Sequence, residues 1–253
     1  MPRTLYFDCF SGASGDMILG ALLDAGFPLD ILKDSLSSLD LHGYSLSVER
    51  VKRSAITGTK FNVVMDPNVH QHSRSLADIL NIIDSSKLSA KVKQTSSAVF
   101  QRLGEVEAGI HGVDIQEVHF HEIGGVDSII DIVGSLVAFD WMKIERFCCS
   151  ALPLGAGNIN TAHGILPVPA PATLQLLAIA KAPVVDFPKG GAPQGELVTP
   201  TGAALVTMLS KFRRPDMTIE KVGYGAGSKD FEAWPNVIRI WLGDEKEAQN
   251  QQD

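Results

Sequence analysis

Residues 44–65 constrain the fold most. Tyr44-Ser45-Leu46-Ser47-Val48 and Phe61-Asn62-Val63-Val64 alternate and carry β-branched and aromatic residues, and Asp66-Pro67-Asn68 closes the run. That pattern predicts an antiparallel pair. Elsewhere strand-like runs alternate with helix-like ones. Leu5 to Phe10 reads as a strand, and Met17, Ile18, Leu19, Leu22 and Leu23 then recur at helical spacing up to Gly26. Further helical patterns follow Pro28 and cover 75–85, about 89–110, a stretch ending near Trp141, 171–181 and 200–211; strands are expected near 147–152, 217–224 and 236–242. Alternation of this kind builds parallel pairs with helices on the sheet, and the hairpin adds antiparallel pairing. The expected fold class is therefore mixed α/β (α+β), a mixed sheet packed against helices in one large domain over 1–243, with a polar tail at 244–253.

At 253 residues the chain is long enough for a full core, and 45% hydrophobic with 20% charged residues is ordinary for a soluble protein. No apolar run is long enough to span a bilayer, and Leu5-Tyr6-Phe7 is too short for a signal peptide, so no membrane partner and a cytoplasmic location are expected. A net charge of -7 argues against nucleic acid, since the concentrated positive charge is confined to Arg50, Lys52 and Arg53 and to Arg213-Arg214. Cys9, Cys148 and Cys149 have no C-x-x-C spacing and read as buried free thiols.

The chemistry concentrates in Val118-His119-Phe120-His121-Glu122-Ile123-Gly124-Gly125-Val126-Asp127 and the Asp131 that follows. In an extended segment His119 and His121 point to one side and can grip one metal ion. After the glycines, Asp127 and Asp131 lie one turn apart on a helix face that could converge on the same ion. The alternative is that the histidines are ordinary polar residues and the aspartates a cap and a solvated face. His70-Gln71-His72 is a second His-x-His, in a loop ahead of a helix, and with His163 these pairs leave only His42 and His111 unassigned. Imidazole suits nickel, zinc, cobalt or iron.

Ser11-Gly12-Ala13-Ser14-Gly15-Asp16 places glycines and small hydroxyls at a helix start, where free N–H groups and the helix dipole favour an anion. Asp8 and Asp16 flank that loop and would suit a metal bridged to phosphate. A side chain added at Gly15 would fill the seat. Thr199-Pro200-Thr201 is a second such start, with Thr199 as cap. The loops at 158–164 and 223–228 are rich in glycine and small polar residues and could let a ligand approach the backbone. For each loop a plain turn or cap is the competing reading.

YFDCFSGASGDMILGALLDAG (6–26), VHFHEIGGVDSIIDIVG (118–134), LPLGAGNINTAHGILPVPAPAT (152–173), GELVTPTGAALV (195–206) and GYGAGSKDFEAWPNVIR (223–239) together resemble the LarC family of nickel insertases, over its N-terminal portion. The resemblance implies that Ni(II) enters pyridinium-3,5-bisthiocarboxylate mononucleotide to make the nickel-pincer cofactor, with lactate racemase apoprotein as recipient. It also implies CTP with magnesium or manganese, through a further C-terminal portion of the same enzyme. Two sulfurs and a ring carbon become ligands, so the carbon must lose a proton. Glu122, next to His121, is the expected base, with Asp127, Asp131 and His163 next in line. The ligand set expected for nickel is His119, His121, His70, His72 and His163; the substrate seat is Asp8, Ser11, Gly12, Ser14, Gly15, Asp16, Thr199 and Thr201. The oligomeric state stays open, a homo-oligomer included. A non-catalytic nickel-delivery module and a metal-dependent phosphohydrolase are the competing functions.

Overall fold

Strand β1 (Arg3–Asp8) buries Leu5 and Phe7 in the core and turns Tyr6 and Asp8 to the other face, as the two-residue period of a strand demands. The computed structural model describes residues 1–69, 73–120, 124–161, 164–187, 193–231 and 234–246. Helices α1 (Gly15–Asp24) and α2 (Leu29–Leu36) lead to the hairpin β2 (Tyr44–Arg53) and β3 (Ile56–Met65), paired without a break from Tyr44↔Met65 to Arg53↔Ile56. The short β4 (Arg74–Ser75) enters α3 (Leu76–Ser85) through a reciprocal cap in which Ser75 and Asp78 satisfy each other's backbone N–H. Helix α4 (Ala90–His111) buries Val92, Val99, Phe100, Leu103 and Val106 and stops at Gly112 in the left-handed region.

Strand β5 (His119–Phe120) and helix α5 (Val126–Trp141) follow. Helix α5 is apolar nearly all round because it is enclosed by α1, α2 and α4. Then come β6 (Arg146–Cys149), β7 (Leu152–Pro153), β8 (Asn158–Thr161), β9 (Gly164–Pro167), α6 (Pro171–Ala180), β10 (Val184–Val185), α7 (Pro200–Leu209), β11 (Lys211–Phe212), β12 (Met217–Ala226) and β13 (Val237–Glu245). Seven strands make one sheet in the order β11-β6-β1-β13-β12-β3-β2. β1 is parallel to β6 and antiparallel to β13, and the hairpin joins through parallel pairing of β3 with β12. The sheet is mixed, as its sequence pattern requires.

Glycines seat α1 on that sheet. A Cβ at Gly225 would lie 1.8 Å from the Met17 carbonyl oxygen, and one at Gly223 2.1 Å from that of Ala21. The run from Gly223, expected to admit a ligand, is thus strand β12 up to Ala226, and what approaches its backbone is α1. The basic residues of β2 serve the fold as well: Arg50 pairs with Asp24 at the end of α1, and Arg53 donates to the Gly227 carbonyl at 2.9 Å. They also lie on an edge strand, where charge discourages pairing with another chain.

Two sequence expectations need correction. The segment at 158–164, expected to be a loop, supplies β8 and the first residue of β9, an antiparallel pair whose largely exposed residues give no apolar alternation to read. Strand β13 also continues through Asp244 to Glu245, past the edge expected at 243. Glu245 can end a buried strand because Arg146 lies 3.4 Å away and Arg213 closer still. Burial alone would raise its pKa, but the two guanidinium groups outweigh that and hold it below its ordinary value. The rest of the expected tail, 247–253, lies outside the described residues.

All three cysteines are free and buried, with Cys9 Sγ 3.7 Å from Cys149 Sγ. Burial pushes the Cys149 thiol well up, which keeps it protonated and unreactive. Among the described residues no helix is long and apolar enough to cross a membrane.

Candidate functional site

Three helices begin at one cavity. Its volume is about 400 Å³, and its lining includes Ser14 and Asp16 from the start of α1, Asp127, Ser128 and Asp131 from α5, and Thr199, Pro200 and Thr201 from α7. Each helix start carries roughly half a positive charge on unpaired N–H groups, so their convergence favours an anion. The close approach has specific causes. A Cβ at Gly202 would lie 2.2 Å from the Ala13 carbonyl oxygen, and the Ala13 and Thr199 backbones are bonded through Ala13 N–H to Leu197 O at 2.9 Å and Thr199 N–H to Ala13 O at 3.0 Å. Thr199 caps α7, its hydroxyl accepting from the Gly202 N–H at 3.2 Å, and lies 2.9 Å from the Thr201 hydroxyl. The Thr201 hydroxyl in turn accepts from the Gly15 N–H at 3.3 Å.

Lys60 of β3 enters the same cavity. Its side chain is 5% exposed, and its ammonium bonds the Asp16 carboxylate and the Phe61 carbonyl, the latter at 3.1 Å. Asp16 also accepts from the Ser14 hydroxyl. Asp131 is the most enclosed carboxyl of the group. Burial raises its pKa well above its ordinary value, the charges of Asp16 and Asp127 add to that, and Lys60 and the Asp16 N–H only partly oppose it. Its Oδ1 is buried with no hydrogen-bond partner.

A carboxyl whose folded pKa lies above its unfolded value of about 3.9 stabilises the fold relative to neutral pH only in acid, and the cost of ionising it grows as pH rises from there. Asp131→Asn keeps the shape and removes that cost. It is expected to raise the melting temperature at pH 7 by ~2 °C or more, with the gain shrinking toward pH 4. An equal or lower melting temperature at pH 7 would contradict this environment for Asp131.

The expected seat residues divide. Ser14, Asp16, Thr199 and Thr201 line the cavity, as do Asp127 and Asp131. Asp8 does not. It lies on the opposite face of β1 from Phe7 and is paired with Arg239, whose Nε is 2.8 Å away, so it does not flank an anion with Asp16. Ser11 is fully buried, and Gly12 packs on residue 197, where a Cβ would come within 2.1 Å of the carbonyl oxygen; both shape the loop rather than the cavity. Gly15 meets Asp131: a Cβ there would be 2.6 Å from Asp131 Cβ. A larger residue would force α1 and α5 apart, so substitution at Gly15 tests helix packing and not the anion seat.

Of the expected nickel ligands, His119 lies within the described residues. His119 is exposed on β5, which pairs antiparallel with β4, Ser75 opposite His119 and Arg74 opposite Phe120. Two of the four residues of this ladder follow His72 at a short interval, and the other two directly precede His121. Both His-x-His segments therefore leave the described structure from adjacent strands. His70, His72, His121, Glu122 and His163 themselves lie outside the described residues. Gly124, where the chain returns, is pressed on Phe120, with a Cβ clash at 2.7 Å, and its carbonyl accepts from Arg74 at 3.2 Å. Helix α5 starts two residues later, so the ladder feeds straight into the carboxylates of the cavity.

His119 is not among the residues lining that cavity; its charged neighbour is Asp78, whose carboxyl is held low first by bonds from Ser75 and further by His119 and Arg74. Among the described residues no three His, Cys, Asp or Glu side chains stand together as a metal site. Ser228, at the end of the 223–228 loop noted in the sequence, lines the cavity, whereas Lys60 and Glu196 of the cavity and Asp78 beside His119 were not singled out from sequence. Lys60 sits in an alternating strand, where a lysine reads as solvent-facing. Glu196 lies within the GELVTPTG motif, three residues before the cap that drew notice.

A sequence profile of the nickel insertion protein family matches residues 5–253. The chain is 49% identical over 243 residues to a protein named for nickel insertion from Thermomicrobium roseum, covering 96% of this chain and 58% of that one. It is 46% identical over 250 residues to one from Roseiflexus castenholzii, covering 99% and 62%. A third, from Geotalea uraniireducens, is 49% identical over 246 residues, covering 96% and 61%. The chain thus spans about three fifths of the length of the curated relatives it matches. No solved structure shows significant similarity to it.

Proposed function

The chain belongs to the nickel insertion protein family, and from that premise we propose that it transfers Ni(II), as cargo, into pyridinium-3,5-bisthiocarboxylate mononucleotide to form the nickel-pincer cofactor of lactate racemase. The observation that supports this reading is the β4–β5 ladder, which pairs Arg74 and Ser75, shortly after His72 in the chain, with Phe120 and His119, just ahead of His121. Borderline imidazole ligands from the two segments would hold nickel without trapping it. The three-helix cavity suits the phosphate of the mononucleotide, with Ser14, Thr199 and Thr201 as hydroxyl donors and Lys60 as counter-charge.

In this proposal Glu122 takes the ring proton as the nickel–carbon bond forms, and Asp127, in the first turn of α5, is the next candidate. Asp131, whose pKa burial pushes up, is assigned to binding below. CTP with magnesium or manganese would act through sequence that the longer relatives contain and this chain does not cover. That same length difference favours, as second reading, a nickel-holding module that acts with a separate portion. The two separate in one experiment. Nickel-loaded chain is mixed with the pyridinium substrate, with and without CTP and the C-terminal portion. The insertase reading expects a product heavier by nickel less its displaced protons when all components are present. Nickel that passes to the C-terminal portion, with the chain's own Glu122 and Asp127 dispensable, supports the module. Phosphate release without nickel would instead mark a phosphohydrolase.

A further inference from the structure

Asp131 lines the cavity, is 9% exposed, and leaves its buried Oδ1 without a hydrogen-bond partner. Its other oxygen, Oδ2, lies against Gly15 at the start of α1. A buried polar atom with no partner is costly, and a ligand that fills the cavity is the natural source of one. The charges around it decide which kind. Asp16 of α1, Asp127 of α5 and Glu196 ahead of α7 are acidic, and Lys60 of β3 is basic. With Asp131 ionised as well, carboxylates would outnumber the ammonium four to one; a neutral Asp131 takes one of those charges out of the path of an anion that the helix starts attract. As a neutral acid, Asp131 instead brings a donor to the point where an acceptor is needed.

We propose that Asp131 donates a hydrogen bond from its carboxylic acid to a phosphomonoester oxygen of the bound substrate, and so sets the preference of the cavity for a phosphorylated pyridinium nucleotide. This rests on the reading of the cavity as the phosphate seat. It makes Asp131 a binding residue and leaves the ring proton to Glu122 or Asp127, because a carboxyl that holds its proton cannot accept another. It also separates two carboxylates one turn apart on α5: Asp127 at the helix start, and Asp131 a turn deeper, beneath Gly15.

The test is calorimetric binding of nicotinic acid mononucleotide, a stable pyridinium phosphomonoester, to the chain and to Asp131→Asn and Asp131→Ala, with the riboside that lacks phosphate as a parallel probe. Wild type should bind the mononucleotide. Asp131→Asn, whose amide can still donate, should bind within about 3-fold of wild type, whereas Asp131→Ala should bind about 10-fold or more weakly. The weak binding of the riboside should be the same for all three. As pH is raised, wild-type affinity should fall relative to Asp131→Asn, a ratio in which titration of the phosphate itself cancels. If Asp131→Ala does not fold, this pH ratio decides. Equal binding by wild type and Asp131→Ala, or Asp131→Asn as weak as Asp131→Ala, or a flat pH ratio, overturns the donor role while leaving the phosphate seat standing. Failure of wild type to bind the mononucleotide any better than the riboside overturns the seat itself, and the donor with it.

Discussion

His119→Ala combined with His121→Ala is expected to weaken nickel binding by ~100-fold or more while the protein melts within a few degrees of wild type. Losing even an outer-shell partner of a metal ligand costs about 10–100-fold, and two direct ligands cost more. The fold should tolerate the change at His119, which is exposed on a two-residue strand, while Phe120 beside it carries the core contact. His42 and His111 supply the control. They lie 2.8 Å from Asp40 and 3.2 Å from Glu107, at a loop and at the end of α4, and alanine at either should leave nickel binding unchanged. Equilibrium dialysis with a competing chelator reads both. Unchanged affinity in the double variant would remove this pair from the nickel site and leave His70, His72 and His163 as the ligands to test.

Glu122→Gln should keep nickel and substrate bound and slow nickel–carbon bond formation by ~100-fold or more, the usual worth of a general base. The pyridinium ring and the bound metal both acidify the C–H, so a carboxylate is base enough. The measurement is single-turnover product formation with all components supplied. Wild-type rate in Glu122→Gln together with a comparable loss in Asp127→Asn would move the base one turn into α5, onto a residue that lines the cavity.

Local order was legible in the sequence wherever periodicity and punctuation agreed. The hairpin at 44–65, α1 with its stop near Gly26, α4 up to Gly112, and Thr199-Pro200 opening α7 all follow from side-chain period and capping chemistry. What could not be read was which surfaces meet. Asp8 and Asp16 flank the same loop in sequence, yet strand parity sends Asp8 to Arg239 and the first turn of α1 sends Asp16 to Lys60. Gly15 looked like room for a ligand and is room for Asp131; Gly223 and Gly225 are room for α1. In each case the glycine signal was correct about close approach and silent about what approaches. Asp127 and Asp131 were placed on one helix face by spacing, but their different burial, which gives them different chemistry, depends on α1 lying across the second and not the first. Pairing of β4 with β5 joins segments more than forty residues apart, beyond the reach of any local pattern.

The central claim is that nickel is held by the His-x-His segments, with His119 among its ligands. Anomalous scattering at the nickel edge, from crystals of the nickel-saturated protein, tests it most directly. The account predicts a single strong peak within bonding distance of His119 Nε2 or Nδ1, at the end of the β4–β5 ladder, and its loss in the His119→Ala, His121→Ala variant. A peak elsewhere, with none at the ladder under saturation, would contradict it.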